Sequence, residues 1–133
     1  MKKVKFDNSL SLELAYAGRR MPPILILEGW LVDDHVCIQQ PNLEIGSDWR
    51  VSLYPWGHVL TFDFYTRADA TEFAKDISKL AIDWKFIHSV KPVGRSSEYQ
   101  RALAQIKTLR NQYEADGFFK PHQPMPLVAA VVR

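Results

Sequence analysis

Only one cysteine, Cys37, occurs in the 133 residues, which excludes an intrachain disulfide framework and suits a reducing compartment such as the cytosol. Long hydrophobic runs are missing too. The most apolar stretch, Ile24 to Val32, is far too short to span a bilayer and carries Glu28 in its middle. The segment Met1-Lys2-Lys3-Val4-Lys5-Phe6-Asp7 is positively charged with no apolar stretch behind it, unlike a secretory signal. A soluble, cytoplasmic protein without membrane contact is the expectation. Glycine is sparse and scattered, and no Gly-rich loop joins a strand to a helix in the Walker or dinucleotide pattern. A Gly-x-Ser-x-Gly elbow is also lacking, which argues against the common nucleotide and hydrolase chemistries.

Net charge is small, at +2, and too weak to point to nucleic acid by itself. Its distribution says more. Residues 1–66 carry a balance of −2 and residues 67–133 a balance of +4. The hydrophobic fraction of 47% is that of a globular chain, and four Trp, five Tyr and seven Phe supply large buried areas for a firm core. The length fits one domain over 1–133, and no linker or internal repeat divides it.

Strand patterns fill the first two thirds. Val4 and Phe6 suggest a short strand, followed by a turn at Asp7-Asn8-Ser9. Leu10, Leu12, Leu14 and Tyr16 alternate with Ser11, Glu13 and Ala15, which predicts a half-buried strand. Pro22-Pro23 interrupts, and Ile24 to Val32 reads as a central strand, apolar on both faces. Asp33-Asp34 turns the chain into a hairpin partner, His35 to Gln39. Trp49, Val51 and Leu53, then Leu60, Phe62 and Phe64, form a second hairpin around Pro55-Trp56-Gly57-His58.

Helical spacing takes over afterwards. Thr66-Arg67-Ala68-Asp69 resembles a capping box ahead of an apolar stripe at Ala70, Phe73, Ala74, Ile77, Leu80, Ala81 and Trp84. Ser97-Glu98-Tyr99-Gln100 opens a second helix with a stripe at Tyr99, Ala102, Leu103, Ile106, Leu109 and Tyr113, and Gly117 is placed to end it. Residues 118–133 read as a loosely ordered tail with a candidate edge strand. Strands first and helices after imply an α+β fold: an antiparallel sheet of about five or six strands, covered on one face by two C-terminal helices.

Chemistry-bearing residues are dispersed. Asp33, Asp34, His35 and Cys37 form the best local group of metal ligands, but a closed zinc site needs a second close pair that is absent. Cys37 falls in a predicted strand beside two acids, which would raise its pKa, unlike the setting of a catalytic thiol. No catalytic residue, metal or cofactor is therefore assigned.

Two surface features stand out. The first is the basic run 85–110, where Lys85, Lys91, Arg95, Arg101, Lys107 and Arg110 face one acid, Glu98. Lys91, Arg95, Ser96, Ser97, Arg101 and Lys107 are candidate contacts for an anion or nucleic acid, since free N–H groups at a helix start favour negative charge. The alternative is a plain helix cap with a solvated basic face. The second is Trp56, with Tyr54 and His58, at a hairpin tip. A large indole there suits an interface anchor, unless the turn folds back and hides the ring.

The leading expectation is a non-enzymatic binding protein acting on a protein partner, or on itself as a homodimer. A nucleic-acid-associated or phosphate-binding factor using 85–110 is the runner-up. A small enzyme assembled from dispersed His, Asp and Tyr is the third class, and a deep pocket joining His35, His58 or His88 to an acid would promote it.

Overall fold

The computed structural model describes residues 1–44, 46–55, 58–83 and 97–121. Within them, five strands form one antiparallel sheet in simple sequence order: β1 Lys2–Asp7, β2 Ile26–Leu31, β3 Val36–Gln39, β4 Arg50–Leu53 and β5 His58–Val59. Three helices accompany them: α1 Ser9–Tyr16, α2 Arg67–Ser78 and α3 Ser97–Ala115. The α+β class and the single antiparallel sheet match the sequence reading.

Alternation along β1 buries Val4 and Phe6 and leaves Lys3 and Lys5 in solvent, where both approach Glu28 of β2. The segment predicted as a second strand, residues 10–16, is instead α1. Its eight residues include no β-branched side chain, and Leu, Glu and Ala are strong helix formers. Leu12 and Tyr16 are buried one helical turn apart, a spacing that period-two alternation also satisfies. Asp7 Oδ1 accepts from the Ser9 N–H at 3.0 Å, and Asn8 Oδ1 accepts from the Leu25 N–H at 2.8 Å, so the entry to α1 is tied to the strand that follows it. Ala17, at φ 46°, closes the helix and donates to the Glu13 carbonyl.

Asp33 shapes the β2–β3 turn, accepting from the N–H groups of His35 and Val36 at 2.7 and 2.9 Å. The strand expected from Leu60 to Phe64 is interrupted. Val51 donates to the Thr61 hydroxyl at 3.1 Å rather than to a carbonyl, so the ladder skips a stretch and rejoins where Phe64 donates to Trp49 O at 2.8 Å. Phe64 also bridges to Phe119, and Phe119 is buried although it belongs to the segment expected to be loose. Residues 122–133 lie outside the described residues.

Thr66 caps α2 as its sequence suggests, accepting from the Asp69 N–H at 3.1 Å. The helix ends at Ser78, so Leu80 packs beyond it and Ala81 is exposed instead of continuing the stripe. Gly117, at φ 79°, closes α3 with a Schellman pair: Gly117 N–H to Glu114 O and Phe118 N–H to Tyr113 O, both 3.1 Å.

The helices α2 and α3 cover one sheet face, where Val36, Ile38, Val51 and Leu53 meet Phe73, Ile77, Tyr99 and Ile106. A smaller cluster of Val4, Phe6, Leu27 and Cys37 occupies the other face. Trp30 and Trp49 stack at 6.1 Å, and the Arg67 guanidinium lies 4.3 Å from the Trp30 ring, fastening the start of α2 over the sheet. Among the described residues, no helix is long and apolar enough to cross a membrane.

Candidate functional site

The last strand and the last helix form a groove of about 380 Å³, floored by Val59, Leu60, Leu103 and Ala104. The pairing of Leu53 with His58 fixes β5 at its rim. From α3, residues 100, 103, 104, 107 and 110 recur at three- and four-residue spacing, so they form one ridge beside the buried stripe. Gln100 stands at one end of that ridge, with Lys107 and Arg110 at the other.

Arg110 is partly buried. Its Nη1 donates to the Leu60 carbonyl at 3.3 Å, and its guanidinium lies 5.5 Å from the Phe62 ring. Its Nε is buried without a partner, and neither Arg110 nor Lys107 pairs with a carboxylate among the described residues. No acid is present among the described lining residues. The groove therefore presents uncompensated positive charge over an aliphatic floor.

His58 is hydrogen-bonded through Nδ1 to the Tyr99 hydroxyl, and burial pushes its pKa down to about 4, so the ring is neutral at pH 7. The unfolded chain protonates this residue near 6.5 and the folded chain only near 4. Stability contributed by neutral His58 is thus full above about pH 6.5 and lost as pH falls toward 4, by about 2 kcal/mol after allowance for partial solvent access. Urea midpoints measured from about pH 7 down to about pH 5 should fall for the wild type and fall less for His58→Gln. Equal slopes would show that His58 titrates normally in the folded state.

The candidate residues from the sequence are dispersed over several places. Lys107 and His58 come together at the groove. Tyr54 is half-buried and packs edge-on against Phe6 at 6.4 Å. Ser97 is the exposed first residue of α3. Arg101 pairs with Glu98 one turn along and lines a smaller cavity of about 200 Å³ with Asp83, so two acids flank the start of α3 there. Lys91, Arg95, Ser96 and Trp56, like His88 and Trp84, lie outside the described residues. Sequence reasoning missed Arg110 and Gln100 as groove residues and Tyr99 as the partner of His58. The spacing of 100, 103, 107 and 110 was visible, but the strand that completes the groove was not.

Cys37 and His35 do not make a reactive centre with Asp33. Asp33 Oδ1 is occupied by the turn, and burial pushes the Cys37 thiol up to about 12, leaving almost no thiolate at neutral pH. Among the described residues, no group of three or more His, Cys, Asp or Glu could hold a metal ion. The chain matches no protein-family model, and no curated protein or solved structure was found to be similar to it.

Proposed function

We propose that this is a non-catalytic binding protein that docks a protein partner on the face formed by β5 and α3. The observation that carries the reading is the groove itself, with two cations lacking carboxylate partners beside an aliphatic floor. Apolar surface supplies affinity, and unpaired charge at its edge supplies orientation and partner choice. Acid–base chemistry has little support here. His58 is neutral and bonded to Tyr99, and no carboxylate is present among the described lining residues to set beside it.

A symmetric homodimer pairing groove with groove is disfavoured, because no acid lines the groove among the described residues and Lys107 and Arg110 would stay uncompensated. A different protein fits better. Affinity capture from the native host after nuclease treatment should recover a partner with the wild type and at least about tenfold less with Lys107→Glu. Lys107 is exposed, so the fold tolerates this change. Equal recovery by the variant would move the interface elsewhere, and recovery only where nuclease is omitted would favour nucleic acid on the basic segment 85–110.

A further inference from the structure

We infer that the β5–α3 groove receives a short aliphatic segment of the partner bearing a carboxylate, with the carboxylate held between Lys107 and Arg110. The inference rests on the reading of this face as the docking surface and adds the chemistry of its occupant. Charge complementarity is the argument. Arg carries five N–H donors, and among the described residues Arg110 uses only Nη1, on Leu60 O. This half-buried guanidinium has one buried donor, Nε, without a partner, and no carboxylate beside it among the described residues. A carboxylate satisfies it in fork geometry, while Lys107, one turn earlier on the same ridge, adds a second charge.

The rest of the groove selects the segment around that carboxylate. Leu103, Ala104 and Val59 offer only aliphatic surface. From Gln100 to Arg110 the ridge spans roughly 15 Å at the helical rise. That length accommodates an aliphatic side chain over Leu103 and an acid about two turns away. Nucleic acid fits less well. A strand needs cations along its whole path and aromatic faces for its bases. Here the positive charge sits at one end, and the only aromatic group among the described lining residues is the His58 ring, which is hydrogen-bonded to Tyr99.

The test is selection of a random-peptide library on the full chain, followed by anisotropy titration of the enriched peptides. Enriched sequences should carry Asp or Glu near Leu, Ile or Val, and replacing that acid by its amide should weaken binding at least about tenfold. Lys107→Glu should weaken the same peptides by a similar factor, and Arg110→Gln provides a second variant that removes the charge and keeps a polar side chain. Enrichment without acids, indifference to both variants, or tighter binding of a single-stranded oligonucleotide than of any peptide would overturn the inference. Loss of host-partner capture by Lys107→Glu alongside a failed peptide selection refutes the occupant but not the docking face. Failure of both experiments refutes the face itself.

Discussion

Phe64→Ala is expected to destabilise the protein by about 4 kcal/mol, the range for truncating a fully buried aromatic side chain. Phe64 has no solvent exposure and stands at the centre of an aromatic cluster. Its ring centroid is 4.7 Å from Phe119, 5.8 Å from Phe73 and 6.3 Å from Tyr113. These partners come from three places: α2, α3 and the strand-like piece after α3. One residue therefore joins both helices to the sheet, and its backbone N–H closes the break in the ladder by donating to Trp49 O. For a chain of this size the loss corresponds to a fall in melting temperature on the order of 12 °C. Circular dichroism melts of Phe64→Ala and Phe64→Leu should bracket the effect, the leucine variant recovering more than half. A change under about 1 kcal/mol for Phe64→Ala would mean that α3 is not anchored through this cluster. The groove would then lose its fixed wall as well.

Most of the scaffold was legible because its signals are local. Val4 and Phe6, Val51 and Leu53, the Thr66 cap and the Gly117 stop each follow from a few neighbouring residues and a period of 2 or 3.6. The error at residues 10–16 has an equally local cause. Over eight residues, Leu12 and Tyr16 fit both periods, and helix propensity should have decided between them. The interruption after β5 was illegible for a different reason. Thr61 intercepts the Val51 N–H across the sheet, a contact ten residues long in sequence that no pattern announces. The groove belongs to the same class. The α3 ridge can be read from its spacing, but His58 meets Tyr99 and Arg110 meets Leu60 only through the fold. Charge counting over 85–110 also treats all cations alike. The structure separates Arg101, which is paired with Glu98, from Lys107 and Arg110, which have no acid beside them among the described residues.

Gly29→Ala is expected to cost about 3 kcal/mol, against the usual direction for this substitution. In a strand interior, alanine is normally favoured over glycine by up to about 1 kcal/mol, through the entropy of the unfolded chain. Gly29 sits in β2 between Val4 of β1 and Gln39 of β3, without a positive φ to explain it. The explanation is space. A Cβ there would lie 2.3 Å from the Ile38 carbonyl oxygen and 2.6 Å from Cys37 Sγ. Ile38 and Cys37 are both fully buried. The first contact is with backbone held in the ladder, and the second is with a fully buried side chain. Relief requires β2 and β3 to separate, and overpacking of that kind outweighs the propensity gain. Two measurements check it. Urea denaturation should show the stability loss, and Cys37, sealed in the wild type, should react faster with an aromatic disulfide reagent in the variant. Adding Cys37→Ala should recover only part of the loss, because the Ile38 carbonyl contact remains. A neutral or stabilising Gly29→Ala would mean that β2 does not pair with β3 in this register. Full recovery in the double variant would assign the whole strain to the sulfur rather than to the backbone.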